Sequence, residues 1–186
     1  KTHGLSYSIN DLTEFHLGEM SRDEAIGLMA ALSASVSFMI SEDTVEYVIN
    51  KLVWNIPYFI QLVVSQLTLT IEEDTITKDD IDKAYDALTN SEYLSTWSER
   101  LSEYPNSLEA RFLLKQLCVV PEGITVPTLI ASMQSRHKER TYEKCEADTL
   151  SLLDMLENDG YIMKAGGKRT FRSPLLRDYW KNKFCY

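Results

Sequence analysis

The sequence predicts a mostly α protein, a bundle of helices followed by a smaller helical unit with one small β-hairpin. Three observations support this fold class. Apolar residues recur every three or four positions along most of the chain, as they do on the buried face of a helix. Ser and Thr residues suited to cap helices precede many of these stretches. One Gly-Gly turn, Gly166-Gly167, separates two short β-prone segments near the end.

Five helices are predicted in the first half of the chain. Residues that cap or open a helix mark four of the starts: Ser21 with Glu24, Ser41, Pro57 and Thr77. The third of these helices is apolar on most sides, so we expect it to be central. A longer fifth helix is expected from about residue 91 towards residue 105, with Leu94, Trp97 and Leu101 on one face.

The second half is predicted to contain three helices, a hairpin and a last helix. The helices cover 108–117, a short stretch begun by Thr125, and a stretch begun by Thr141 or Tyr142 that stops at Gly160. The hairpin spans 161–172, and Ser173 is expected to cap the last helix. Three helices followed by a hairpin is the element order of a winged helix-turn-helix.

Charge divides the chain near residue 104. Residues 1–104 carry 6 Lys and Arg against 18 Asp and Glu, a net of −12, whereas residues 105–186 carry 13 against 10, a net of +3. Such a shift indicates two units with different partners. The overall charge of −9 disfavours strong nonspecific binding to DNA.

The sequence also bears on location. It contains neither an apolar run long enough to cross a bilayer nor a secretory signal, so we expect a cytoplasmic protein without membrane contact. Because the first residue is not Met, we expect the chain to be part of a longer protein. Cys118, Cys145 and Cys185 form no CxxC pair and lie far from the His residues, so we interpret them as buried or incidental thiols and expect no metal site.

Four stretches resemble a family of prokaryotic AAA+ ATPases related to the signal-transduction and initiator ATPases. They are SINDL, WNIPYFIQL, STWSERL and FRSPLLRDYW, which occupy residues 8–12, 54–62, 95–101 and 171–180. They occur in the family's order and are spread over nearly the whole chain, from residue 8 to residue 180. The resemblance implies that residues 1–17 connect to a missing ATPase core, residues 18–104 form a helical lid domain, and residues 105–186 form a winged-helix domain.

The resemblance also implies how nucleotide is shared between this chain and the rest of the protein. No G-x-x-x-x-G-K-[ST] motif occurs, so ATP and Mg²⁺ would be held by the N-terminal ATPase core, and this chain alone is expected to be no enzyme and to carry no catalytic residue. The family's lid helix packs beside the nucleotide, which implies contacts from Trp54, Asn55, Pro57 and Tyr58. The alternative is that Pro57 merely begins a buried helix and Trp54 fills the core.

A second function, DNA binding by the winged helix, stays open at this point. Arg136, Lys138 and Arg140 precede its third helix, and Lys168 and Arg169 decorate the wing, so the five form a candidate phosphate-binding set. The third helix itself is acidic, which opposes entry into a DNA groove. We therefore favour a module that packs within the protein or engages a protein partner, and the upstream sequence distinguishes the two.

Overall fold

The computed structural model describes residues 19–36, 38–71 and 75–185. Helices make up 70% of it and strands 9%, which confirms the mostly α class. The expected connector at residues 1–17 lies outside the described residues. Within them, no helix combines the length and the apolar character that crossing a bilayer requires.

Five helices of the first half are described, and their bounds are α1 Arg22–Ser35, α2 Glu42–Leu52, α3 Pro57–Thr70, α4 Lys78–Thr89 and α5 Ser95–Arg100. The strands β1 Met39–Ile40 and β2 Thr75–Ile76 pair in parallel, a pairing that the sequence pattern did not indicate. Helix α3 packs against both α1 and α4 and buries Phe59, Ile60, Val63, Val64 and Leu67. Its predicted central position is therefore confirmed.

Caps begin the first, second and fourth helices as predicted. Ser21 and Glu24 form a reciprocal capping box at α1, and Thr77 forms another with Asp80 at α4. The Ser41 hydroxyl accepts a hydrogen bond from the Thr44 amide at α2. Each cap supplies an acceptor to an amide that has no partner within its helix, so short-range chemistry determines where these helices begin.

The expected long helix after residue 91 was wrong in length. A 3₁₀ turn, Glu92–Leu94, leads into the short helix α5, and a second 3₁₀ turn, Leu101–Glu103, follows it. The hydroxyls of Ser98 and Ser102 donate to carbonyls three residues earlier, and such bonds compete with regular helical pairing. The predicted apolar face of Leu94, Trp97 and Leu101 is nevertheless buried.

The second half contains four helices and three short strands. They are α6 Ser107–Cys118, β3 Ile124–Thr125, α7 Val126–Arg136, α8 Tyr142–Asn158, β4 Ile162–Ala165, β5 Lys168–Phe171 and α9 Pro174–Phe184. The strands form an antiparallel sheet in the order β3-β5-β4. The predicted order of three helices and a hairpin is present, and β3 is an additional strand.

Glycines form both predicted turns of this half. Gly166 and Gly167 have φ of 54° and 78° in the hairpin, where a two-residue turn requires positive φ. Gly160 has φ 82° at the end of α8, where the amides of Gly160 and Tyr161 donate to the carbonyls of Glu157 and Leu156. This pair of bonds is a Schellman motif, which ends the helix as predicted.

The predicted cap at Ser173 was wrong. Helix α9 has no side-chain cap, and the Ser173 hydroxyl is buried without a hydrogen-bond partner among the described residues. Pro174 at the first helical position lacks an N–H, so the need for a cap is smaller there. The residue type alone suggested a cap that the packing does not use.

A continuous hydrophobic core crosses the predicted boundary at residue 104. Helix α9 packs against α6 and also against α4 and α2 of the first half. Polar contacts cross it too, because the Tyr85 hydroxyl donates to Asp178 at 2.9 Å and the Tyr161 hydroxyl donates to the Trp97 carbonyl at 2.5 Å. The helices of the two halves are therefore held in one packed arrangement.

Candidate functional site

The four residues predicted to contact nucleotide follow a strained turn between α2 and α3. Val53 adopts φ 61° and ψ −54°, and across it the Trp54 amide donates to the Leu52 carbonyl at 2.7 Å. This is a tight three-residue turn. A β-branched residue at positive φ is strained, and such strain persists only where the surrounding structure enforces it. The backbone entering the site is therefore held by its neighbours.

Trp54 lies at the junction of the two halves. The rings of Phe59 and Trp97 lie steeply inclined to its indole, at interplanar angles of 78° and 70° and centroid distances of 5.7 and 6.1 Å. The Arg172 guanidinium lies 5.1 Å from the centre of the indole ring. On another side it contacts Gly160, where a Cβ would lie 2.7 Å from the indole Cη2. Trp54 is therefore partly buried between α3, α5 and the end of α8.

Asn55 and Pro57 shape the start of α3. The Asn55 carbonyl accepts from the Met20 amide at 2.9 Å, whereas its side-chain Oδ1 is buried and has no hydrogen-bond partner among the described residues. Pro57 is the first residue of the helix, and Ile56 before it supplies no side-chain cap. The first turn of α3 thus has a positive dipole end and, like that of α9, begins with a proline and no capping side chain.

Tyr58 is the more accessible of the two aromatic residues among the four, with 38% of its surface exposed. Its hydroxyl donates to the Tyr93 carbonyl at 2.8 Å, which ties the start of α3 to the turn before α5. Partial burial raises the pKa of Tyr58, so the hydroxyl stays a neutral donor. Part of its ring is therefore open to solvent while its hydroxyl stays hydrogen-bonded.

The site has features suited to a planar anion. An uncapped helix start favours negative charge, and the aromatic rings offer stacking surfaces. Arg172 adds a cation next to Trp54, a contact that the sequence did not indicate because residue 172 was expected only to end the hairpin. Among the described residues, no group of three or more His, Cys, Asp and Glu side chains is arranged to hold a metal ion.

The five residues predicted to bind DNA have different surroundings. Arg140 lies 3.6 Å from Glu109 and 3.6 Å from Asp148, and the Arg169 Nε lies 3.7 Å from Glu157, an ion pair too long for a hydrogen bond. Two of the guanidinium groups are thus partly neutralised by carboxylates of the same molecule.

The remaining three carry no ion pair with a described residue. Arg136 is exposed and its guanidinium lies 4.7 Å from the centre of the Phe112 ring. Lys138 is exposed in the loop after α7, and Lys168 is half-buried where β5 begins. Among the described residues, three cations of the five are thus left without an ion pair.

Comparisons of the chain with models of protein families, with curated proteins and with solved structures found no match. The interpretation of the site therefore depends on its own residues and their contacts.

Proposed function

We propose that this chain is the C-terminal regulatory region of an AAA+-like ATPase. Residues 18–104 act as a helical lid that closes on nucleotide held by a P-loop core outside this chain, and residues 105–186 act as a winged helix. ATP and Mg²⁺ bind to that core, because the 186 residues contain no P-loop motif. The winged helix engages a protein partner or packs within the molecule, and the whole protein works in the cytoplasm.

One observation carries this proposal, which is the position of Trp54. Trp54 lies three residues before Pro57, where α3 begins without a capping side chain, and such a helix start is suited to an anionic ligand. The same side chain contacts Gly160 and Arg172, which belong to the second half. A ligand bound at the start of α3 would therefore alter contacts made by the proposed winged helix, as a nucleotide-dependent switch requires.

The packing between the halves supports transmission of such a change. Trp97 contacts both Trp54 and Tyr161, with ring centroids 6.1 and 5.2 Å apart, and Tyr161 contacts Trp180 of α9 at 6.1 Å. These rings form an unbroken series of contacts from the start of α3 to the last helix. Because packed cores deform little, movement at one end is expected to shift the other.

DNA binding by the winged helix is the alternative function. Arg136, Lys138 and Lys168 favour it, because they carry no ion pair with a described residue. The pairs made by Arg140 and Arg169 oppose it, as does the acidic helix α8. Fluorescence anisotropy with labelled duplex DNA at two salt concentrations separates the functions. We expect no saturable binding at low salt, and tight binding that weakens with salt would favour the alternative.

The proposed nucleotide contact is tested in the protein encoded by the complete gene. Tyr58→Ala removes the exposed ring beside α3, and we expect ATP affinity to fall about tenfold, the size of one lost stacking contact. Tyr142→Ala is the matched control, since Tyr142 is also exposed but lies on α8. Unchanged ATP affinity and turnover in Tyr58→Ala would argue against the site, and a complete gene without a P-loop would overturn the proposed function.

A further inference from the structure

We propose that Cys118 and Cys185 are a modification site at which an intramolecular disulfide joins the end of α9 to the end of α6. This disulfide is independent of the proposed nucleotide switch, because it depends only on two thiols and the helices that carry them. It also changes the interpretation of these cysteines as incidental thiols, which the sequence spacing had suggested.

The two sulfur atoms are already in contact. They lie 2.7 Å apart, although the residues are 67 positions apart in the sequence. Cys118 is the last residue of α6 and Cys185 directly follows α9. Both thiols are directed at the Lys115 carbonyl, with sulfur–oxygen distances of 3.2 and 3.7 Å. A shared acceptor holds the two thiols side by side.

The packing around the pair keeps the two helix ends together. Helices α6 and α9 pack against each other, and the Phe184 ring packs on Trp180 with centroids 4.9 Å apart. Disulfide bonding brings sulfur atoms to about 2.05 Å, so the thiols need to approach by less than about 1 Å. Bond formation therefore requires loss of the two S–H hydrogens rather than movement of a helix.

A small-molecule disulfide such as oxidised glutathione is a sufficient oxidant. The thiolate of the partly exposed Cys185 attacks one sulfur of the small disulfide, which forms a mixed disulfide and releases one small thiol. The thiolate of Cys118 then attacks the Cys185 sulfur, which forms the protein disulfide and releases the second small thiol. Two protein thiols thus lose two protons and two electrons, and one small disulfide becomes two thiols.

The second step is expected to be the slow one. Burial, which persists in the mixed disulfide, raises the pKa of Cys118, so little of this thiol is ionised near neutral pH. Nearby Lys181 partly opposes this rise. Oxidation should therefore proceed faster as the pH is raised, while the contact between the sulfur atoms keeps the effective concentration of the attacking thiol high.

Peptide mapping tests the site directly. The chain is equilibrated with oxidised glutathione, its free thiols are blocked, and it is digested with trypsin without reduction. The three cysteines fall on separate tryptic peptides, 116–136, 145–164 and 184–186. We expect peptide 116–136 linked to peptide 184–186 in the monomer, and a melting temperature raised by about 5–10 °C.

Two variants sharpen the result. Cys145→Ser removes the third cysteine, which is buried in α8, and should leave the link and the shift in melting temperature intact. Cys185→Ser changes a partly exposed residue and should abolish both. A peptide map that shows only glutathione adducts, disulfides between chains, or a disulfide that involves Cys145 would overturn the proposal. The proposal would also be overturned if Cys118 and Cys185 stayed as free thiols at equilibrium with excess oxidised glutathione.

Discussion

Gly160 lies in direct contact with Trp54, so that a Cβ at Gly160 would come within 2.7 Å of the indole Cη2. This contact joins the end of α8 to the turn that begins α3. Gly160 therefore serves two purposes: its φ of 82° ends α8, and its missing side chain makes room for Trp54. The proposed nucleotide contact and the proposed winged helix meet at this point.

Gly160→Ala should lower the free energy of unfolding by about 2–5 kcal/mol. About 1–2 kcal/mol reflects an Ala at positive φ, and about 1–3 kcal/mol reflects overpacking against Trp54. Gly166→Ala is the matched control, because Gly166 also has positive φ but a Cβ added there would meet no atom within 4 Å. Urea denaturation measures the free energy of unfolding of both variants. Equal losses of stability in the two variants would contradict the contact between Gly160 and Trp54.

Tyr161→Phe should lower the free energy of unfolding by about 1–2 kcal/mol at neutral pH, because it removes the hydrogen bond to the Trp97 carbonyl. Tyr142→Phe, at an exposed position on α8, should change stability by less than about 0.5 kcal/mol. Denaturant titrations of the two variants beside the unchanged protein give these values.

The difference in stability between the unchanged protein and Tyr161→Phe should depend on pH. Burial raises the pKa of Tyr161 to about 12, above the ordinary value of 10.0. The neutral hydroxyl therefore contributes stability that is fully present below pH 10 and lost as pH rises through about 12. The difference between the unchanged protein and Tyr161→Phe should shrink across this range. Buried Tyr85 and Tyr104 are present in both proteins, so a difference that stays constant to pH 12 would contradict the assignment.

Thr77→Ala and Ser173→Ala form a pair with opposite expectations. Thr77 caps α4, so Thr77→Ala should lower the free energy of unfolding by about 1 kcal/mol. Ser173 precedes α9 without capping it, and its buried hydroxyl has no partner among the described residues, so Ser173→Ala should be neutral or slightly stabilising. Thermal unfolding, monitored by circular dichroism, compares the stabilities of the two variants. A larger loss of stability in Ser173→Ala than in Thr77→Ala would indicate that Ser173 caps α9 after all.

Acid should reduce the cost of Thr77→Ala. The Thr77 hydroxyl and amide donate to Asp80 and lower the pKa of that carboxyl group. A lowered folded-state pKa contributes stability above the unfolded value and loses it as pH falls through the folded value. The two proteins should therefore approach each other in stability below about pH 4.

Arg140→Gln should destabilise the protein by about 1–2 kcal/mol, because it removes the guanidinium group that forms ion pairs with the largely buried carboxylates of Glu109 and Asp148. His137 and Lys144 remain beside these two carboxylates and limit the loss. Lys138→Gln is the control, since Lys138 is exposed and should change stability by less than about 0.5 kcal/mol. Equal stability of both variants in urea would show that the ion pairs of Arg140 contribute little to folding.

The sequence alone predicted much of the local structure. Capping at Ser21, Ser41 and Thr77, the Gly166-Gly167 turn and the helix end at Gly160 were all recognisable, because each depends on hydrogen bonds and backbone angles within a few residues. The central position of α3 was recognisable too, since an apolar surface on most sides of a helix requires burial.

Only the tertiary structure brought together residues that are distant in the chain. The contact of Trp54 with Gly160 and Arg172, the contact of Cys118 with Cys185, and the ion pairs of Arg140 depend on how whole helices pack. Periodicity shows which face of a helix is buried but not which residue it meets. Local chemistry therefore determined the elements of this protein, and the packing of the two halves decided which side chains form its candidate sites.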